Sequence, residues 1–238
     1  MQRFIEEIQV LEARGGPLRS QRLPDGRTTL VVRQMEGAHP GDVTVCGPRT
    51  SALFKTTPGM KRAVILQFKP GWAVPLFGVS ASTLTNQFVK LPEVWGRWCA
   101  ELCAELVATR NVSALLARIS DAIAGHTAEA IEPASARLAR RGARHLDEGD
   151  ERVDSLAARL GVTARHLRRA FNENIGVGPK EYARSVRLRR AVRLASASGD
   201  WGRIAGDAGY YDQAHLIGEF RKLVGLTPGA YFERGLCD

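Results

Sequence analysis

Disulfide frameworks, membrane spans and catalytic signatures are all missing from this 238-residue chain. Its four cysteines, Cys46, Cys99, Cys103 and Cys237, lack the pattern of a disulfide scaffold and read as reduced thiols of a cytoplasmic protein. No apolar run approaches the ~20 residues of a membrane span, so no membrane partner is expected. The opening MQRFIEEIQVLEARGG carries acidic side chains and no apolar stretch, which argues against a secretory signal. There is no G-x-S-x-G, H-E-x-x-H or Walker loop, and Gly15, Gly16, Pro17 and Gly78 do not complete a phosphate cradle. His39, His126 and His145 are scattered in turn-like or surface contexts, and the first half offers neither paired carboxylates nor a nucleophile with its base. The chain therefore reads as a non-enzyme with no cofactor and no metal. Acidic residues are also in deficit. Against 34 Lys and Arg stand 25 Asp and Glu, a net charge of +9. Residues 1–132 carry 15 basic and 12 acidic side chains, residues 133–238 carry 19 and 13, so the surplus lies mostly in the second half. A basic surplus suits a polyanionic partner, because each neutralised phosphate releases counterions.

The apolar pattern changes along the chain. Over residues 22–80, LPDGRTTLVVRQM, DVTVCGPRTSALFKTT and RAVILQFKPGW read as β-branched strands separated by Gly and Pro breaks. From about Ser82 the pattern becomes helical. Val94, Trp98, Leu102 and Leu106 step by four, and Leu115, Leu116, Ile119 and Ile123 follow one helix face that Gly125 is expected to stop. HTAEAIEP (126–133) reads as a linker into a helix over 134–147. The expectation is an α+β chain: a β-rich domain with following helices over residues 1–130, then an all-α domain over 131–238.

The second half contains a duplication. His166 and His215, Leu167 and Leu216, Phe171 and Phe220, Gly176 and Gly225, Pro179 and Pro228, and Tyr182 and Tyr231 all lie 49 positions apart. Upstream the offset is 48, pairing Leu156 with Ile204, Ala157 with Ala205 and Gly161 with Gly209, so the second copy gains one residue in its turn. Two copies of one supersecondary unit account for this. In the first copy Val153, Leu156, Ala157 and Leu160 form an apolar stripe, Gly161 suits a left-handed turn, and Thr163 can cap a second helix that buries Leu167, Ala170 and Phe171. In the second, Trp201, Ile204, Ala205 and Ala208 form the stripe, Gly209 turns, Asp212 caps, and Leu216 and Phe220 pack inward. Helix, tight turn, helix is the helix-turn-helix plan, whose second helix enters the DNA major groove.

The outward residues of the first such helix, starting at its cap Thr163, are Ala164, Arg165, Arg168, Arg169 and Asn172. Arg can pair bidentately with guanine and Asn with adenine. The second helix offers Gln213, Ala214, Ile217 and Arg221, with Gly218 contributing no side chain; Gln213 can read adenine and Ile217 a thymine methyl. The first helix is thus expected to dominate base reading. Between the units, a helix from Pro179 to about Ala197 has Leu188, Ala191, Val192 and Ala195 as its inner stripe. Arg184, Arg187, Arg189, Arg190 and Arg193 line it, either toward phosphate, toward solvent, or in ion pairs with the first domain. Cys99 and Cys103, at i and i+4, read as core residues in preference to a metal or thiol sensor. Trp72, Trp95 and Trp98 read as core in preference to a cavity lining.

IAGDAGYYDQAHLIGEFRKLVGLTPGAYF (204–232) and LAARLGVTARHLRRAFNENIGVGPKEYARSVRLRRAVRLA (156–195) resemble the signature of the AraC-type (AraC/XylS) transcription regulators. The resemblance covers about a hundred residues and implies seven helices, two helix-turn-helix units and a long linking helix. Ala214 stands where Ser is common and Gly218 where Arg is common, which weakens base reading by the second unit. LPDGRTTLVV and FKPGWAVPLFGVSASTLTNQFVKLPEVWG resemble a β-rich, cupin-like domain that precedes AraC-type domains in actinobacterial regulators. That implies effector binding or dimerisation for residues 1–130. The partners implied are a double-stranded DNA operator, a small-molecule effector, RNA polymerase and a second copy of the chain.

Overall fold

The computed structural model describes residues 3–13, 16–127, 132–149, 151–196 and 199–234. Gly15, Cys237, Ala197 and residues 128–131 of the expected linker lie outside these. Seven strands come first: β1 (Ile5–Glu12), β2 (Leu18–Arg22), β3 (Thr29–Met35), β4 (Gly41–Cys46), β5 (Leu53–Thr57), β6 (Met60–Phe68) and β7 (Phe88–Lys90). They form an antiparallel five-stranded sheet in the order β1-β6-β3-β4-β7 and a separate β2-β5 pair. Strand side chains alternate between faces, and the central strands use both. Leu30, Val32, Val43, Val45, Val64, Leu66 and Phe68 enter the main core of this half, whereas Thr29, Val31, Arg33, Thr44, Ala63, Ile65 and Gln67 line a cavity on the opposite face.

The helices that cover the core face are α1 (Ala73–Phe77), α2 (Ala81–Leu84), α3 (Leu91–Trp95), α4 (Ala100–Ala108) and α5 (Val112–Thr127). Four expectations need correction here. The strands begin at Ile5, well before residue 22: β1 is an edge strand, largely exposed, so no buried alternation marks it. Residues 73–77, expected among strands and turns, form a short helix, whereas the helix at 81–84 lies where the helical pattern was expected to begin. The four-step pattern from Val94 to Leu106 is not one helix. Gly96, at φ 93°, ends α3, and a single 3-10 turn over Arg97–Cys99 precedes α4. That break turns Trp98 outward to 59% exposure, while Trp72 and Trp95 are buried as expected. Gly125 does not stop α5, which continues to Thr127.

Seven helices follow: α6 (Ala134–Glu148), α7 (Val153–Arg159), α8 (Ala164–Ile175), α9 (Pro179–Ala195), α10 (Trp201–Ala208), α11 (Gln213–Val224) and α12 (Pro228–Glu233). They build two cores. Ala139, Ala143, Leu146, Leu156, Leu167, Phe171 and Ile175 form the first, and Ile204, Ala205, Leu216, Phe220, Leu223 and Tyr231 the second. Helix α9 serves both, with Tyr182 and Val186 in the first and Leu188 and Ala191 in the second. Its 17 residues span about 26 Å at ~1.5 Å per residue. Gly142 brings α6 close to α8, since a Cβ there would lie 2.7 Å from the Phe171 ring.

The β-rich half rests on the rear of both units. Ser80 Oγ donates to the Glu173 carbonyl (3.1 Å) and Thr85 Oγ1 to the Gly176 carbonyl (2.7 Å), at the end of α8. The Ala52 amide donates to the Leu223 carbonyl (2.8 Å), near the end of α11.

Candidate nucleic-acid interface

The two units share their local chemistry residue by residue. Thr163 Oγ1 accepts from the His166 amide (3.1 Å), and Asp212 Oδ1 accepts from the His215 amide (2.7 Å), so each second helix has a side-chain N-cap. Gly161 and Gly209 turn the chain at φ 72° and 86°, where a Cβ would be strained. Pro179 and Pro228 open the following helices, and Tyr182 and Tyr231 are both buried beneath them. The helix of each unit that would enter the groove, α8 and α11, is 12 residues long.

On α8, Arg165, Arg168, Arg169 and Asn172 are all exposed. Their i, i+3, i+4, i+7 spacing puts them on one face, opposite the buried Leu167, Ala170 and Phe171. No hydrogen bond or ion pair among the described residues engages Arg165 or Arg169. Arg168 has only a loose contact with Asp154 (3.9 Å), both side chains being more than half exposed. Thr163 is exposed and capping, whereas Ala164 is half-buried against the first core. On α11, Gln213, Ala214 and Arg221 are exposed, and Ile217 packs half-buried on the second core, so it is less available than its spacing predicts.

The arginines of α9 are mostly engaged inside the protein. Arg184 pairs with Glu219 (2.6 Å), Arg189 lies 3.6 Å from Asp147, Arg190 donates to the Asp147 carbonyl (3.2 Å), and Arg187 sits over the Tyr210 ring at 5.7 Å. The Tyr182 hydroxyl also donates to the Asp147 carboxylate (3.0 and 2.9 Å). Burial pushes the Asp147 carboxyl up, and Arg189 and this hydrogen bond oppose the shift. These side chains tie α9 to α6 and α11, which a charge pattern alone does not reveal.

Arg193 instead faces the cavity of the β-rich half. That cavity, about 720 Å³, is lined from all seven strands, from α9 through Arg189, Val192 and Arg193, and from its C-cap Ser196. Sequence reasoning missed it; its only sequence trace is the second, more polar face of β3, β4 and β6. Arg22 pairs with Asp25 (2.9 Å), Arg27 with Glu6, and Arg33 with Asp42 (2.8 Å) around its wall. Gln21 Oε1, Thr29 Oγ1 and Arg189 Nε are buried without a hydrogen-bond partner among the described residues. Cys99 is buried and Cys103 half-buried; burial and the neighbouring Cys99 push the Cys103 thiol up to about 12. Among the described residues no three potential metal ligands gather at one point, and no helix is long and apolar enough to cross a membrane.

Comparison with known proteins divides the chain in the same way. Residues 156–234 match the model of a helix-turn-helix domain, and residues 1–90 that of a domain of unknown function, DUF6597. The HTH-type transcriptional regulator GlxA of Rhizobium meliloti (strain 1021) is 37% identical over 81 residues, which are 34% of this chain and 25% of GlxA. The chain thus spans about a quarter of the length of that curated relative. Among solved structures, the DNA-binding domain of AdpA in complex with a target DNA is 28% identical, with a TM-score of 0.37, over 42% of this chain and 90% of that one. ToxT from Vibrio cholerae O395, bound to (E)-4-(8-methylnaphthalen-1-yl)but-3-enoic acid, is 10% identical, with a TM-score of 0.49, over 95% and 97%. The duplicated, capped and Gly-turned units thus fall within residues 156–234, the segment that matches the helix-turn-helix domain model.

Proposed function

We propose that the chain is a sequence-specific, DNA-binding transcription regulator whose activity a small molecule modulates. The observation that carries this reading is the exposed Arg165, Arg168, Arg169 and Asn172 face, held within the described residues only by the loose Arg168–Asp154 contact, on a capped helix of an AraC-type unit. Arg165, Arg168 and Arg169 read guanines and Asn172 an adenine, with Thr163 and Ala164 at the leading edge of α8. Gln213, Ala214, Ile217 and Arg221 make the lesser contribution of α11. The division of labour places DNA binding in residues 131–238 and effector binding or dimerisation in residues 1–130. RNA polymerase and a second copy of the chain are the protein partners that such a regulator needs, and the cytoplasm is where it meets its operator.

Selection of bound sequences from a random duplex pool at physiological salt tests the reading. A defined motif, with guanines under α8, is the expected result. Salt-sensitive binding without enrichment would instead mark an architectural DNA binder of little sequence preference.

The cavity supports the effector. Its volume suits a small organic ligand. Its wall joins Leu11, Leu18, Met60 and Ile65 to Lys55 and Arg193, and to Arg189, which also lies 3.6 Å from Asp147. Such a wall fits an amphipathic molecule with an acidic, hydrogen-bonding head. Ligands of this class are expected to raise the melting temperature of the full chain and to change its operator affinity. Ser20→Leu, which fills part of the cavity, should remove both responses. A panel of hydrophobic monocarboxylates that shifts neither quantity would count against this assignment.

A further inference from the structure

The two units differ by one residue in the turn, and backbone hydrogen bonds locate it. The Val162 amide donates to the Ala157 carbonyl (3.0 Å), and the Tyr210 amide donates to the Ala205 carbonyl (2.8 Å). Both donor and acceptor pairs are 48 positions apart. Val162 packs half-buried on the first core, and Tyr210 is buried in the second. The earlier register therefore extends through Tyr210. The next residue of the first unit is already the cap, Thr163, but the cap of the second is Asp212. The residue with no counterpart is Tyr211.

Tyr211 is held at its backbone, where its amide donates to His215 Nδ1 (3.3 Å). Its side chain is 92% exposed, the most exposed large apolar side chain among the described residues. It stands one residue before the cap of α11, at the end of the helix that reaches base edges in this motif. The exposed face of α11 is otherwise thin. Of its exposed polar side chains, His215 accepts from the Tyr211 amide and Lys222 pairs with Glu219, which leaves Gln213 and Arg221; Ala214 is short, Gly218 has no side chain, and Ile217 is partly withdrawn.

We propose that Tyr211 is a specificity-determining DNA contact, its ring packing on the C5-methyl of a thymine in the half-site faced by the second unit. The assignment rests on the function proposed above. Thymine alone offers a methyl group in the major groove, and an apolar side chain distinguishes it without any hydrogen bond. The inserted residue gives the second unit a reading group that its helix does not supply.

The test uses the full chain and its selected operator. Tyr211→Ala is expected to lose about five- to tenfold in operator affinity and to lose a thymine preference at one position of the second half-site. Preferences under α8, the salt slope and the melting temperature should stay as in the parent. Tyr211→Phe keeps the ring and should behave as the parent does. Replacing that thymine by deoxyuridine should weaken the parent by a similar factor and leave Tyr211→Ala unaffected. Unchanged base preferences in Tyr211→Ala would overturn the inference and make the insertion a spacer. Equal losses in the Ala and Phe variants, with base preferences intact, would also overturn it and point to a phosphate contact by the hydroxyl. If Arg169→Ala weakens binding in that series and Tyr211→Ala does not, only this inference falls. If the parent selects no sequence at all, the functional reading falls with it.

Discussion

Arg165→Ala, Arg168→Ala and Arg169→Ala are each expected to weaken operator binding by about 1–3 kcal/mol, roughly 5- to 150-fold, while leaving the melting temperature where it was. The second half of that expectation follows from the structure. Arg165 and Arg169 hold nothing among the described residues, and the Arg168–Asp154 contact at 3.9 Å joins two exposed side chains, where an ion pair is worth little. What each arginine loses on truncation is therefore lost from the complex. A guanine reader disfavours other bases at its position by about 1–3 kcal/mol, so its removal should flatten preference there. A phosphate contact would behave differently: binding would fall uniformly for all sequences, and the salt slope would drop by about one. Measuring affinity for the selected operator and for its single-base variants, at two salt concentrations, separates the two roles. Arginine variants that bind every sequence as the parent does would remove α8 from the interface.

Phe171→Ala is expected to act in the opposite manner, by destabilising the first unit, at a cost of about 3–5 kcal/mol. Its ring is completely buried, meets Tyr182 edge-on at 5.9 Å, and fills the space that Gly142 leaves between α6 and α8. For a chain of this size the loss corresponds to a fall of roughly ten degrees in melting temperature. DNA affinity should fall too, because the arginine face is borne by the same helix. Gly142→Leu approaches the same contact from the other side, placing atoms where the Phe171 ring lies, and should also lower the melting temperature. Calorimetry on both variants is the measurement; a melting temperature unchanged in Phe171→Ala would mean that α6 and α8 are held together elsewhere.

What could be read from sequence was what local rules govern. The caps Thr163 and Asp212, the turns at Gly161 and Gly209 and the buried stripes depend on neighbours within a few residues, and duplication displayed each of them twice. The uses of the α9 arginines could not be read in that way. Arg184 meets Glu219 and Arg190 meets Asp147 across 35 and 43 residues, so a single run of positive charge hides separate internal attachments. Trp98 misled for a more local reason: a four-residue step implies one helix face only while the helix lasts, and Gly96 interrupts it. β1 was invisible because an edge strand with water on much of its surface has no need of apolar alternation. The cavity requires both sheets and α9 to be in place before it exists.

Because α9 and Tyr231 complete that cavity, the isolated β-rich half would present it unfinished. A ligand search on a truncated chain would lose the contributions of Arg189 and Arg193 and underestimate affinity. Linkage makes any coupling carried through that shared wall reciprocal: whatever factor a bound ligand applies to operator affinity, operator DNA must apply to ligand affinity. Titrating a ligand in the presence and absence of operator would thus give the regulatory free energy without any measurement of transcription.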